Sequence, residues 1–507
     1  MDEIQPDYDV VIVGGGAAGL AAYATAVSQS FLTVLLEKES DLGGTTIFAI
    51  GSMTAARTQL QNKRGIEDST DAFFEDLIVA SRTRGVEQIC DKSLLRLYAE
   101  EAGKTLDWLN ELGVVFVGPF PESPHRVPRM HNAVPSAYSF VHRLEGFGTK
   151  HGGKILKSYK VSKLVQDDEG RVAGVSGHTI LGEPFHFKAR KGVIIATGPY
   201  SSNQEILKEL IPGFIEAEPV NPTATGDGIS LCRKIGAWTK NTEIETTQFR
   251  FGGRTTGKIG KVATWGVLPQ IIGWVVEHFP RSFTNQIIVR LSTTYTAPSD
   301  KILLEGGILI DGNGSRFVNE LARPYPYAIA KKATSLIRKD LYLLFDSSTA
   351  AKLVKWPNYV STFPGIAYAY LDDYLKFRKD VIHKSYSFET LAWKSNLSPE
   401  ILKATVDRYN SFAAVHEDRD FGREQLRPIE SPPFYLLGPI RPVITVTEGG
   451  IAINEKCQAL NVRGEVIRGL YVIGDGSAGP LNVSHGMHLG WALTSGRLSV
   501  LSILRES

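Results

Sequence analysis

The chain has 507 residues, 43% apolar and 22% charged, with a formal net charge of +2. This is the balance of an ordinary soluble globular protein, long enough for roughly three domains or one large split one. Near-neutral charge gives no electrostatic case for nucleic acid or an anionic membrane. The three cysteines, Cys90, Cys232 and Cys457, form neither a CxxC pair nor a metal-ligand spacing, so no metal is expected.

The start, MDEIQPDYD, lacks the basic and apolar regions of a signal peptide, and sparse cysteines fit a reducing compartment. The expected location is the cytoplasm. Residues 8–13 read as a buried strand, a glycine cluster follows, 20–29 is helix-forming, and 32–37 is a second strand. Helical patterns run through 71–81 and 92–112. Strand patterns at 161–166 and 171–176 flank the turn Asp168-Glu169-Gly170, and the strand 192–196 ends in Thr197-Gly198. From about 243 to 441 the chain is richer in Pro, Tyr and Trp and loses the βαβ rhythm. The rhythm returns with a strand at 470–473, a glycine-rich stretch from Gly474 to Gly490, and a helix at 491–504. No run of ~18 uninterrupted apolar residues is present, so no membrane span is expected.

The segment VIVGGGAAGLAA spells GxGxxG as Gly14, Gly16 and Gly19. Gly14 permits a tight turn, Gly16 lets backbone approach a pyrophosphate, and Gly19 lets helix and strand pack closely. The helix N-terminus presents free N–H groups to phosphate. Glu37 ends the next strand, 18 residues past Gly19, where a carboxylate can hold a ribose. An acid there, rather than a base, favours an unphosphorylated ribose.

Three distant segments narrow the dinucleotide. EKESDLGGTTIFAIGSMTAARTQ (37–59) carries Lys38, Gly43, Gly44, Thr45, Thr46, Gly51 and Ser52. VIIATGPYSSN (193–203) carries Ala196, Thr197, Gly198 and Asn203. GLYVIGDGSAG (469–479) carries Gly474 and Asp475. In this order they resemble the FAD-dependent fumarate reductase and succinate dehydrogenase flavoproteins, a family that includes 3-ketosteroid dehydrogenases. ATGDGISLCRKIGA (224–237, with Thr225 and Asp227), GILIDGNGSRFVNE (307–320), ATVDRYNSF (404–412) and LGWALTSGR (489–497) extend the likeness across nearly the whole chain, most weakly at about 255–300.

The resemblance implies an α/β fold: a Rossmann-like FAD-binding domain, residues 1–242 and 441–507, interrupted by an inserted α+β capping domain at 243–440. It implies that Gly14, Gly16, Ala18 and Gly19 face the pyrophosphate and that Glu37 holds the adenosine ribose. Val161 would meet adenine through its backbone and Asp475 the ribityl chain. The backbone of Gly490, Trp491, Ala492 and Leu493, at a helix start, would face the flavin pyrimidine, where a helix N-terminus stabilises negative charge. Covalent attachment in the family uses a histidine before the threonine-glycine loop. No histidine occurs between Met1 and Pro124, so the FAD is expected to be non-covalent.

The dicarboxylate-binding residues of the family are missing. His488, in SHGMHLGW, stands where a substrate-gripping arginine would be. Thr445, in TVTEGG, and Gln248 stand at two histidine positions. Pro324 stands at the proton-donating arginine, with Arg323 one residue early. Four departures argue against fumarate or succinate, because a carboxylate clamp needs a planar, permanently charged fork. The expected catalytic residues are Arg323, Tyr325 and His488, with Tyr327, His485 and Glu448 also near the right segments. Against this, the tyrosines around Pro326 could simply pack a loop, Arg323 could pair with Glu320, and His488 could be a hydrogen-bonded core histidine. Arg316 is expected to hold the cap.

Residues 262–290 are rich in Trp, Ile and Val, broken by Pro269, Glu277, Pro280 and Arg281. Core packing of the cap is the leading reading; the alternative is an apolar mouth for a hydrophobic substrate, resting on a membrane surface. The expected function is FAD-dependent dehydrogenation or reduction of a C–C bond next to a carbonyl in a moderately large, mostly apolar molecule, with a separate electron donor or acceptor. The alternatives are a flavin oxidase, a redox-neutral isomerase or hydratase, and a flavin-binding protein that has lost its activity.

Overall fold

A computed structural model describes residues 7–211, 217–244, 247–251, 262–280, 284, 297–322, 327–338, 340–355, 358–361 and 370–506. The chain opens with β1 (Tyr8–Val13), α1 (Ala17–Ser28) and β2 (Thr33–Glu37). Helices α2 (Thr70–Thr83) and α3 (Lys92–Glu111) follow, each started by a side-chain cap: Ser69 accepts from Ala72 N, and Asp91 from Ser93 N and Leu94 N. Then come β3 (Lys154–Lys157), β4 (Tyr159–Gln166), β5 (Val172–Thr179) and β6 (Pro184–Ile195). The middle of the chain supplies β7 (Glu218–Pro219), β8 (Thr247–Phe251), α4 (Leu268–His278), β9 (Ile308–Asp311), β10 (Leu341–Phe345), β11 (Ile382–Ser385) and β12 (Phe434–Ile444). β13 (Gln458–Leu460), β14 (Val466–Val472) and α5 (Met487–Glu506) complete it.

Among the described residues there are two large sheets. The first runs β13-β14-β6-β1-β2-β3, with the β4–β5 hairpin joined to β6. β1 lies parallel to both β2 and β6, so Val13 faces Leu36 on one side and Ile195 on the other. The chain therefore leaves this sheet after β6 and re-enters it beside β6 through β14. α1 is built of small residues and packs against α5 at close range: a Cβ on Gly496 would lie 2.3 Å from Ala18 O. Large side chains in this layer, such as Leu20 and Tyr23, are fully buried and each contributes about 2 kcal/mol.

Several elements start earlier than the sequence expectation, α5 at Met487 and β14 at Val466 each by four residues. α1 starts at Ala17, three residues early, because Gly16 takes the extended cap conformation and Gly19 is accommodated inside the helix. β6 starts at Pro184, eight residues early: its outer half alternates Phe185, Phe187 and Ala189 inward with exposed residues between, a period of two over a half-solvated face.

The second sheet runs β7-β12-β10-β9, with β8 and β11 also paired to β12. It is mostly antiparallel and buried on both faces. Leu341, Leu343 and Phe345 of β10 enter one core cluster, while Tyr342 and Leu344 enter another, against the helix Pro399–Val415. Its strands begin earlier and end later than the compositional shift, at Glu218 and Ile444.

The apolar stretch around α4 corrects the leading expectation of core packing. Trp265, Val267, Ile271 and Trp274 are more than half exposed. The helix leans on the strand Val115–Phe120 through its thin edge: a Cβ at Gly273 would come 2.9 Å from Val115 Cγ1. Its broad apolar face is left outward. Among the described residues, no helix is long and apolar enough to cross a membrane.

Candidate active site

A cavity of about 660 Å³ opens outside the C-terminal ends of β1, β2 and β6 and extends to the face of β8. The parallel arrangement on both sides of β1 makes this the crevice where open α/β sheets bind ligands. Its near wall is the glycine loop. Gly14 takes φ of +108°, and a Cβ there would sit 2.4 Å from Ala196 O. A Cβ on Gly19 would sit 1.9 Å from Gly14 O, so helix and strand touch only because both are glycine. Gly16 faces the opening instead, with nothing within 3.8 Å of an added Cβ.

The polar groups at this end are already partnered. Glu37 accepts from Gly15 N at 2.7 Å and Glu39 N at 2.9 Å; burial raises its pKa, with the two backbone N–H groups pulling the other way. Ala17 N donates to Thr46 Oγ1 at 3.0 Å, and Asn221 Nδ2 to Thr45 Oγ1 at 3.0 Å. Lys38 reaches Asp227 at 2.8 Å; burial opposes ionisation of Asp227, but Lys38 outweighs it and keeps the carboxylate below its ordinary range.

The far end is assembled from distant segments. On β8, Thr247, Phe249 and Phe251 are buried and the alternate residues Gln248 and Arg250 line the cavity, with Arg250 Nη2 donating to Gln248 Oε1 at 2.7 Å. Thr445, just past β12, and Asn482 line it too, and their buried Oγ1 and Oδ1 atoms have no hydrogen-bond partner among the described residues. His488, on the first turn of α5, is 2.9 Å from Asp475 Oδ1 through Nδ1 and 3.8 Å from Glu448 Oε1 through Nε2. Burial pushes its pKa down, but the two carboxylates prevail and hold it above the ordinary imidazole value. Glu448 sits behind it, accepting from Asn482 N at 2.9 Å.

Most of the expected cofactor residues border this cavity: Gly14, Gly16, Ala18, Glu37 and Lys38, then Gly44, Thr45, Thr46, Ser52 and Val161. Ala196, Thr197, Gly198, Asp227, Gly474, Asp475 and Ala492 join them. Others lie behind the wall. Gly19 is the packing glycine. Gly43 forms the turn that returns Gly43 N to Gly15 O, and a Cβ on Gly51 would meet Ala137 N at 2.9 Å. Asn203 caps the helix Gln204–Leu210 and donates to Thr225 O, while Thr225 accepts from Lys38. At the start of α5, Gly490 packs on Tyr98, Trp491 donates to Ser477 Oγ at 3.2 Å, and Leu493 is fully buried, so only Ala492 of that quartet fronts the cavity.

Of the expected catalytic residues, His488 lines the cavity; Arg323 and Tyr325, and the side chain of Tyr327, fall outside the described residues. Glu320 is filled by two arginines, Arg316 at 2.9 Å and Arg423 at 3.2 Å, and Arg316 also binds Asp418 at 3.0 Å. That buried network ties the second sheet together, as expected for Arg316. Asn221, Arg250 and Tyr359 also line the cavity and were missed. The alternation around Gln248 was a usable signal for Arg250; Tyr359 had none. Among the described residues no group of His, Cys, Asp or Glu has metal-binding geometry.

The cavity suits a flavin dinucleotide. Its near end has an open glycine cradle, a helix N-terminus whose own cap residue, Gly16, supplies no capping side chain, and a buried acid, and its far end offers orphaned polar atoms.

The family model described as FAD binding domain matches residues 9–264 and 276–488. The chain is 26% identical over 478 residues to a fumarate reductase (cytochrome) of Shewanella frigidimarina, spanning 93% of this chain and 72% of that protein. It is 25% identical over 517 residues to vinyl phenol reductase of Lactiplantibacillus plantarum, spanning 97% and 95%. In fold it matches the open conformation of a flavocytochrome c3 fumarate reductase, with a TM-score of 0.76 at 22% identity over 99% of this chain and 78% of that one.

Proposed function

This chain belongs to the FAD binding domain family, and from that premise we propose that it oxidises or reduces a C–C bond next to a carbonyl in a moderately large, mostly apolar molecule. It is an FAD-dependent oxidoreductase, like the reductases it resembles. FAD, when bound, supplies hydride acceptance and donation at N5. The observation that carries the reading is the continuity of the cavity, which joins the glycine loop at Gly14 to a polar end at Gln248, His485 and His488 without a break. In this reading residues 243–440 cap a cofactor domain made of 1–242 and 441–507.

The chain's own residues divide the work. The α1 N-terminus and Gly16 receive the pyrophosphate, Glu37 the adenosine ribose, Val161 the adenine edge, and Asp475 the ribityl chain. No histidine precedes Pro124, which supports a dissociable cofactor. His488, aligned by Asp475, which favours its protonated form, polarises the substrate carbonyl, and Arg323 and Tyr325 are candidates for the proton. Phe48, Ile50, Phe249, Val446 and Leu489 supply apolar surface that excludes water. The replaced clamp positions support an apolar substrate over a dicarboxylate, and so does the relative whose name specifies a vinyl phenol.

The test is anaerobic. The yellow protein is mixed with hydrophobic enones and their saturated counterparts, and the flavin band near ~450 nm is followed. Bleaching by a saturated compound, or recolouring of reduced protein by an enone, is expected. Efficient bleaching by succinate, with none of the hydrophobic panel reacting, overturns the reading.

A further inference from the structure

One carboxyl group near the cavity has no structural employment. Glu122 follows the strand Val115–Phe120, is 4% exposed, and its Oε2 has no hydrogen-bond partner among the described residues. A buried, unsatisfied carboxyl costs stability, so a fold that needed only packing there would carry an apolar residue. Its other oxygen, Oε1, lies 3.8 Å from Nδ1 of His485, and His485 lines the cavity.

The surroundings hold His485 in place. Thr54 Oγ1 donates to the His485 carbonyl at 2.6 Å, and Ser484 Oγ is 2.7 Å from His125 Nε2. His125 in turn meets Arg129, which is buried against Asp68 and Asp76. Met130 Sδ touches the ring at 3.0 Å from Nδ1. The imidazole is thus anchored through its own carbonyl and through the preceding residue, between a buried acid and the open site.

We propose that Glu122 and His485 are the proton-delivery pair of this active site: Glu122 passes its carboxyl proton to one ring nitrogen of His485 while the other nitrogen protonates the substrate carbon beside the carbonyl. The proposal rests on the C–C bond chemistry proposed above. The bonds balance as follows in the reductive direction. The N–H bond toward the substrate breaks and a C–H bond forms; the Glu122 O–H bond breaks and an N–H bond forms on the ring. To reset the pair, the Glu122-side N–H proton returns to the Glu122 carboxylate while the cavity-side ring nitrogen takes a proton from water. The second C–H bond takes its electron pair from the reduced flavin as a hydride equivalent, and a separate donor restores those electrons. In the oxidative direction each transfer runs backwards.

The electrostatics agree with this resting state. Burial raises the Glu122 carboxyl well above its ordinary range, which favours its protonated form. Burial, helped by the charge of nearby Arg250, pushes His485 down to about 4 and keeps it neutral. The pair is therefore a neutral acid beside a neutral base, not an ion pair. Tyr359, which also lines the cavity, feels both burial and Glu122 and is pushed up to about 12. At 3.8 Å the pair is beyond hydrogen-bond range, so the relay requires the two groups to approach by about 1 Å. His488 does different work, since Asp475 and Glu448 keep its proton in place.

The test uses FAD-loaded protein, reduced anaerobically, with 4-phenylbut-3-en-2-one and related aryl enones as probes, in H₂O and D₂O. For the enone that reoxidises wild type fastest, Glu122→Gln is expected to slow reoxidation at least 30-fold. Half-saturation should move less than threefold, and the solvent isotope effect should rise. Glu122→Asp should recover part of the rate, and His485→Gln should match Glu122→Gln. The melting temperature of Glu122→Gln should not fall. A Glu122→Gln rate within threefold of wild type, with an unchanged isotope effect, overturns the relay and leaves the proposed function standing. If no enone reoxidises wild type and no saturated counterpart reduces it, the proposed function falls and the relay falls with it.

Discussion

The two ends of the cavity are built on opposite principles. At the glycine-loop end the polar side chains have partners of their own: Glu37 holds two backbone N–H groups, Thr46 accepts from Ala17 N, and Lys38 is paired with Asp227. At the β8 end, Thr445 Oγ1 and Asn482 Oδ1 are buried without hydrogen-bond partners among the described residues, and Glu122 Oε2 lies just behind the wall in the same condition. The difference separates a preformed cradle from a working surface. A cradle gains affinity by ordering its donors in advance. A surface that does chemistry keeps polar atoms in reserve for a ligand, at a cost to the empty fold.

Four substitutions would break or sharpen this contrast. The largest effect belongs to Gly14→Val. Its side chain would enter the Ala196 carbonyl at a φ of +108°, so the expected product is colourless, misfolded or strongly destabilised protein, by more than about 3 kcal/mol. Flavin absorbance of the purified protein and urea denaturation read this directly. If Gly14→Val stays yellow and stable, the near end is not a rigid cradle.

Glu37→Gln comes next. It keeps the shape but weakens acceptance from Gly15 N and from the ribose, for a loss of about 1–3 kcal/mol in binding. Equilibrium dialysis should show FAD affinity falling roughly 10- to 100-fold on that conversion, while melting of the apoprotein shifts little.

His488→Gln tests the bridge between the two ends through pH. Because the folded pKa of His488 is raised, its contribution to stability is complete below the unfolded value of about 6.5 and is lost as pH rises through the folded value. Wild-type stability should therefore decline on passing from about pH 6 to the region above that raised pKa, more steeply than in His488→Gln. Equal slopes in parallel urea titrations would remove the Asp475–His488–Glu448 arrangement from the account.

Thr445→Val should have the smallest effect on folding and the most telling sign. Removing an orphaned hydroxyl at nearly constant volume should leave stability unchanged or raise it by about 0.5 kcal/mol. The half-saturation concentration of a reacting enone should still rise severalfold. A clear loss of stability would mean the hydroxyl is structural and the far end is no less satisfied than the near one.

Legibility in the sequence follows the same divide. The glycine loop, Glu37 and the threonine-glycine segment were readable because the constraint is local: a turn at Gly14 and a close approach at Gly19 forbid every larger residue, whatever the rest of the chain does. The behaviour of α4 was misread. Its composition is that of a core helix, yet Trp265, Ile271 and Trp274 face outward because only Pro269 and Gly273 are thin enough to meet the strand beneath. Hydrophobicity says that a residue gains by burial, not that a neighbour exists to bury it. Arg250, Tyr359 and Glu122 were missed because their position depends on strand pairing and loop packing between residues more than a hundred apart in the chain.

By itself, then, the sequence determined the cofactor and the family, since each is written in short segments whose geometry is dictated by glycine, proline and the backbone. Only the tertiary structure decided that His488 is held between two carboxylates and that Glu122 stands orphaned behind His485. Proximity between distant residues is set by how two sheets pack, and no local pattern carries that information.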